Sequence, residues 1–343
     1  MESAGELERV TDLVDWKYEL GARSRRISQT APALLFENIK QYPGHQLLTN
    51  GLGTYSRIAI ALGLEATTTF REIVDAFRRR LTHPVAPVSL GESPLLECVS
   101  TGNEVNLEKF PVPWFHQSDG GRYVGTWHLN VTKDPENGLR NIGVYRMQLL
   151  NAKTTAISVS PGSHLARHLA KAEKKGEALE MGVAIGVDET LIMAAAASPT
   201  YGADEYAIAG GLSREAIVLS ECLTVGLEVP AFAEIVLEGK IRTDSKVMEG
   251  PFLDYAGIPK ADPNARIFEV TCIMHRENPI FRGAAIGLPG GEDHLLFSLL
   301  SAADCLDFHG SGIRQRIQNG LLKKRAFNLF QYVGRLRQLL AGR

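Results

Sequence analysis

Residues 123–150 read YVGTWHLNVTKDPENGLRNIGVYRMQLL, two runs rich in β-branched and aromatic residues around the stretch Asp134 to Gly138. Those residue types fit a pleated, half-buried surface, and a Pro and a Gly within five residues force a turn, so a β-hairpin is expected here. The same texture recurs downstream in TTAISVS, AIVLSECLTV, AEIVLEGKIRT, FEVTCIMHR and IFRGAAIG, each bounded by turn residues. Two helical stretches, HLARHLAKAEKKG and DETLIMAAAA, interrupt these strands. The pattern predicts a barrel-like sheet with helices over its ends.

Outward from this centre the texture changes. Upstream, APALLFENI suits a strand, whereas SRIAIALGLE and TFREIVDAFRRRL carry helical periodicity; the Pro-rich THPVAPVSLGESP at 82–94 then punctuates the chain. Downstream of EDHLLFSLLSAADCL, residues Ile313, Ile317, Leu321, Leu329, Val333, Leu336 and Leu340 fall at helical spacings, with one double step, and define the apolar stripe of a long amphipathic helix. The expected class is α+β, divided into an N-terminal α/β segment over 1–104, a central barrel domain over 105–300 and a helical tail over 301–343. The tail stripe is expected to be covered by another subunit.

Composition narrows the function. At 343 residues, 44% hydrophobic and 22% charged, the chain can bury a large core. The acidic start and the absence of a long apolar run argue against a membrane span and for a cytoplasmic protein. The four cysteines are far apart without a C-x-x-C pair, which disfavours a disulfide framework or a zinc site. Net charge is −2, yet Ser311 to Arg343 contains eight Lys or Arg and no acid; a solvated helix face is the simplest reading of it, and neither nucleic acid nor membrane is expected as a partner. The signatures of P-loop kinases, dinucleotide dehydrogenases, zinc proteases and serine hydrolases are absent.

Chemistry is expected from four places. The stretch EGPFLDYAG sets Glu249 and Asp254 around a Gly-Pro turn among apolar neighbours, either a loop-borne pair of carboxylates or a turn with one capping acid. In NIGVYRMQ, Arg146 inside an apolar strand needs an anionic partner, unless it lies at an edge and reaches solvent. Asn141 and Arg146 point to opposite faces of a regular strand, so a joint site requires Asn141 in the preceding turn or a bulge between them. His164 opens a helix, where free N–H groups favour an anion, and His168 is expected on the solvated face of that helix. Glu205 is either a metal ligand or a first-turn acid suited to the helix dipole.

Taken together, DPENGLRNIGVYRMQ, PGSHLARHL, DEYAIAGGL, LEVPAFAEIVLEG, EGPFLDYAG and GLPGGEDHLL resemble the UbiD family of decarboxylases, which use prenylated flavin mononucleotide (prFMN). The resemblance spans roughly residues 30–310. It implies a flavin-reductase-like split barrel and a reversible decarboxylase of an aromatic, heteroaromatic or α,β-unsaturated acid, supplied with cofactor by a flavin prenyltransferase. It also implies that Arg146, Glu249 and Asp254 are catalytic, and that Asn141, His164 and Glu205 hold Mn2+ or Mg2+ at the flavin phosphate, with potassium nearby. Val144, Tyr145 and Ser163 would then lie along the cofactor. Family sequences continue into a C-terminal α/β domain that brings a lysine toward the phosphate, whereas here the tail helix runs to Arg343 with no such domain after it. Three expectations stay open: the subfamily does without that domain, a partner chain supplies it, or the protein is a non-catalytic remnant or accessory subunit of the same fold; the basic run Lys323, Lys324, Arg325 would partly substitute for the lost positive charge.

Overall fold

In the computed structural model the described residues are 1–25, 32–91, 93–287 and 290–306. The expected amphipathic helix and basic run beyond residue 306 lie outside them. The hairpin of residues 123–150 forms as expected: strand His128–Lys133 pairs antiparallel with Arg140–Gly143, and Asp134 accepts from Glu136 N across the turn. The downstream run is not one strand. It breaks at Val144–Arg146 and resumes as Met147–Asn151, which turns back to pair with Thr154–Ile157.

These strands belong to a ten-stranded antiparallel sheet that curls into a half-barrel. Its main path runs Tyr123–Gly125, Met147–Asn151, Thr154–Ile157, Pro259–His275, Ile235–Ile241, Leu179–Ile185, His128–Lys133 and Arg140–Gly143. The long strand Pro259–His275 changes partners along its length, meeting Val247–Leu253 at its start and Cys98–Thr101 at its end. A strand that trades partners in this way lets the sheet curl instead of extending flat.

Alternation along the strands sorts the core into two layers. Met181, Val183 and Ile185 face one layer with Leu237, Phe268 and Met147, closed by Leu165 and Leu169 of helix His164–Lys175. Leu129, Val131, Ala184 and Val236 face the other, covered by helices Phe70–Leu81, Glu189–Ala197, Glu205–Ser213 and Glu292–Leu306. Helix Glu189–Ala197 is apolar nearly all round, ETLIMAAAA, because it is buried between its neighbours and the sheet.

The N-terminal part adds a four-stranded sheet of Leu7–Val10, Ala33–Phe36, Gln46–Thr49 and Ile280–Arg282. Its last strand comes from the apolar run IFRGAAIG and pairs parallel with Gln46–Thr49, so a late segment of the chain completes an early sheet. Arg282 in that strand reaches Glu189 at 2.9 Å and forms a buried ion pair with Glu292, joining the strand to two helices of the other layer. The described residues adopt the mixed α+β class expected above. Among them no helix is long and apolar enough to cross a membrane.

Candidate active site

Glu249 sits on the strand Val247–Leu253, not on a loop, and is wholly buried. Its Oε2 accepts Arg146 Nη2 at 2.6 Å and Nε at 3.1 Å, and its Oε1 accepts the Tyr123 hydroxyl at 2.5 Å. Burial and the facing Glu249 raise the Tyr123 phenol well above its usual range, so it stays a donor. Arg146 belongs to the break between two strands, which releases its side chain from strand alternation and aims it at Glu249. Its guanidinium also lies 5.2 Å from the centre of the Phe252 ring and donates to Lys260 O at 3.2 Å. A buried carboxylate thus has its charge matched by an arginine that is only partly covered, a pairing that keeps donors of Arg146 available to an incoming anion.

Asp254 follows directly after that strand. Its Oδ1 accepts Ala256 N and Ile258 N at 3.0 Å each, and its Oδ2 forms an ion pair with Lys260 Nζ. The side chain therefore organises the turn 254–258, as a capping acid does, and has a charged partner as well. Lys260 links it to the Arg146 and Glu249 pair, because the backbone oxygen of Lys260 receives Arg146.

The second constellation forms around two helix starts. Ser163 caps helix His164–Lys175 by accepting Ala166 N, so His164 is its first residue. Glu205 is the first residue of helix Glu205–Ser213 and is buried. Its Oε1 lies 3.9 Å from His164 Nδ1, and its Oε2 accepts Ile142 N at 3.3 Å, immediately beside Asn141. Asn141 is buried, and among the described residues its Nδ2 has no hydrogen-bond partner. The Tyr145 hydroxyl lies against the side chains of Asn141 and Ser163 and accepts Leu165 N at 3.4 Å, while Val144 is exposed at the break.

One imidazole, one carboxylate and one amide gathered in this way fit a hard divalent ion. Among the described residues no group of three His, Cys, Asp or Glu side chains is placed to hold a metal ion; the trio contains only two residues of those types, with Asn141 as the third donor. At the start of helix His164–Lys175 the Ala166 and Leu165 N–H groups are taken by Ser163 and Tyr145, so it is the positive end of the helix dipole that suits a phosphate beside it. A cleft of about 340 Å3 lined by Lys133, Arg140, Asp204 and Glu228 adjoins this constellation through Arg140 and Asp204, the chain neighbours of Asn141 and Glu205. A second cavity, about 310 Å3 beside Arg9 and Arg23, contains none of these residues.

His168 corrects an expectation. It is buried, not solvated: its Nδ1 meets Thr132 Oγ1 at 3.0 Å, and burial holds its pKa down at about 4.

The domain described as 3-octaprenyl-4-hydroxybenzoate carboxy-lyase N-terminal domain (UbiD_N) matches residues 1–77, and the Rift-related domain of the same carboxy-lyase (UbiD) matches residues 87–289. The chain belongs to the UbiD family. It is 33% identical over 307 residues to a phenolic acid decarboxylase of Streptomyces sp. (strain D7), covering 86% of this chain and 64% of that one. It is likewise 33% identical over 315 residues to pyrrole-2-carboxylic acid decarboxylase of Pseudomonas aeruginosa, covering 88% and 63%. Among solved structures, the UbiD-class enzyme HmfF from Pelotomaculum thermopropionicum, in complex with prFMN, matches with a TM-score of 0.82 at 31% identity over 89% of this chain and 70% of that one. Vanillic acid decarboxylase of Sedimentibacter hydroxybenzoicus matches with 0.83 at 29% identity over 87% and 65%. The chain spans a little under two thirds of the length of the curated relatives it matches.

Within this UbiD fold, three residues near the carboxylates were not legible as functional. Tyr123, Gln148 and Asp119 contact Glu249, Gly250 and Leu253, respectively. The local signal for two of them is DGGRY at 119–123, a glycine pair between an acid and a strand start.

Proposed function

We propose that this chain is a prFMN-dependent decarboxylase acting reversibly on an aromatic, heteroaromatic or α,β-unsaturated carboxylic acid. The observation that carries the proposal is the buried Glu249 shared by Arg146 and Tyr123, with Arg146 on the strand break that follows Asn141 and leads to the trio Asn141, His164 and Glu205. In this reading Asn141, His164 and Glu205 hold Mn2+ or Mg2+ against the flavin phosphate, and Val144, Tyr145, Arg146 and Ser163 line the cofactor. When bound, prFMN supplies the electron sink that cleavage of a carboxylate from an sp2 carbon requires and that no side chain provides.

The chain's own residues do the rest. Arg146 receives the substrate carboxylate through donors not spent on Glu249, and Glu249 with Tyr123 keeps the guanidinium oriented. Asp254 carries the proton that replaces CO2 on the product carbon; its Oδ2 must first part from Lys260 Nζ. Phe252 closes the Arg146 side against water.

The test is co-expression with a flavin prenyltransferase, followed by an absorbance spectrum and a screen of unsaturated and aromatic acids for CO2 release. Bound modified flavin with CO2 release supports the proposal. A colourless protein inert toward every acid overturns it and points instead to an accessory subunit of the same fold.

A further inference from the structure

The strand that carries Glu249 pairs with Pro259–His275 alone among the described residues, and that pairing is irregular between Glu249 and Phe252. No described strand lines its other edge. Three groups take that place: Gln148 Oε1 accepts Gly250 N at 2.8 Å, Gly120 N donates to Pro251 O at 2.6 Å, and Asp119 Oδ1 accepts Leu253 N at 2.8 Å. The fit is tight, since a Cβ on Gly120 would lie 2.1 Å from Gly250 O. Gly250 itself has φ of 96°, a conformation that favours glycine.

Asp119 differs from the other two in being charged and buried, with 4% of its surface exposed. Burying a carboxylate is costly unless its oxygens are satisfied. Here Oδ2 accepts His116 N at 3.2 Å while Oδ1 holds Leu253 N, so one side chain bridges two backbone amides from separate segments. An asparagine has one acceptor oxygen and would turn an N–H2 toward one of those amides.

We propose that Asp119 is the positioning residue of the reaction's carboxylates: by gripping the Leu253 amide it sets Glu249 against Arg146 and Asp254 against Lys260. The inference rests on the roles given above to Glu249 and Asp254. The charged and titratable groups around Asp119 are Arg25 from helix Glu19–Arg25, Arg146 from the strand break, the His116 ring in its own segment and Tyr123 from the adjoining strand, with Asp293 of helix Glu292–Leu306 facing His116. Burial pushes the Asp119 carboxyl up to about 6 against its two backbone bonds and the two arginines. The grip on Leu253 therefore weakens as the carboxyl takes a proton, which makes the role visible in a pH series.

The experiment compares wild type and Asp119→Asn, both loaded with prFMN, by amide hydrogen exchange and by steady-state decarboxylation between pH 5 and pH 8. Exchange at the Leu253 amide is expected to speed up about tenfold or more in the variant. Its kcat at pH 7.5 is expected to fall about ten- to a hundredfold and its KM to rise with it, because a shifted Glu249 also loosens Arg146. The ratio of wild-type to variant kcat is expected to shrink as pH drops below 6. A residue that merely stabilises the fold would give a ratio independent of pH, and that result overturns the proposal, as does unchanged exchange at Leu253.

If the variant does not fold, wild type alone decides: protection of Leu253, corrected for the intrinsic pH dependence of exchange, must weaken from pH 7.5 to pH 5, and constant protection overturns the proposal. A wild-type protein without bound prFMN or CO2 release sinks the decarboxylase reading itself, whereas unchanged exchange in an active enzyme sinks only the role of Asp119.

Discussion

Glu249 and Asp254 stand five residues apart with different neighbours. Glu249 is satisfied by Arg146 and Tyr123 in full burial, whereas Asp254, slightly more open, meets the exposed Lys260 ammonium and two amides. Asp254→Asn keeps the acceptor for the turn and removes the proposed proton carrier, so the decarboxylation rate is expected to fall about 10²- to 10⁴-fold with flavin still bound. Solvent deuterium incorporated into the product carbon gives an independent reading, and a near-normal rate and exchange would leave Asp254 as a turn residue only. Glu249→Gln strands Arg146 without its charge partner, so substrate affinity and flavin binding should suffer together in a titration of either. Tyr123→Phe deletes a single hydroxyl and leaves Glu249 Oε1 buried with that donor gone. A loss of about 1–3 kcal/mol in denaturant stability is expected, with a lower kcat; an unchanged unfolding midpoint would contradict the role given to this bond. The residue types at 146, 249 and 254 were readable because an arginine and two acids in apolar runs demand partners. Tyr123 and Asp119 were not, because a tyrosine at a strand start and an acid before two glycines are ordinary in any β-rich chain.

At the level of elements, the break at Val144–Arg146 shapes the site. A regular strand would have sent Asn141 and Arg146 to opposite faces with no freedom to adjust; the break leaves Asn141 in the strand beside Glu205 while Arg146 turns to Glu249. Two helix starts then present His164 and Glu205 to each other, with capping by Ser163 and Asp204 holding both first turns. His164→Ala and Glu205→Ala are expected to lose metal and prFMN together while keeping the helical and sheet signals of the fold. Elemental analysis checks this, and a full complement of Mn2+ in either variant would remove the site from the proposal. Strand alternation says only that a joint site needs Asn141 in the preceding turn or a bulge between the two residues; the structure keeps Asn141 in the strand and breaks the strand after it. The form of that break, and the direction in which the freed arginine points, depended on the neighbours across the sheet.

Over the whole molecule, three buried histidines tie stability to pH. Burial holds His116, His128 and His168 down at about 4, below the usual histidine range. In the unfolded chain they take up protons near pH 6.5, so their contribution is full above that pH and is lost as pH falls toward 4. Each is worth on the order of 1–2 kcal/mol by pH 5. Asp119, Glu189 and His294, whose pKa values are raised in the folded protein, oppose them in part. The urea midpoint is therefore expected to drop clearly between pH 7 and pH 5, and a flat profile would show that these histidines are accessible to protons in the folded protein.

Periodicity, capping and turn residues within a few positions of one another were enough to specify the α+β class, the hairpin around residues 134–138 and the helix starts at His164 and Glu205, while the grouping of the candidate site residues came from the family resemblance, since each of them alone also admits a structural role. They could not specify that Ile280–Arg282 completes the N-terminal sheet, that His168 is buried, or that Arg146 and Tyr123 meet Glu249 across more than a hundred residues of chain. Those contacts are chosen by how two apolar layers close over one curled sheet, and no local pattern in the chain encodes which distant strand will arrive beside which.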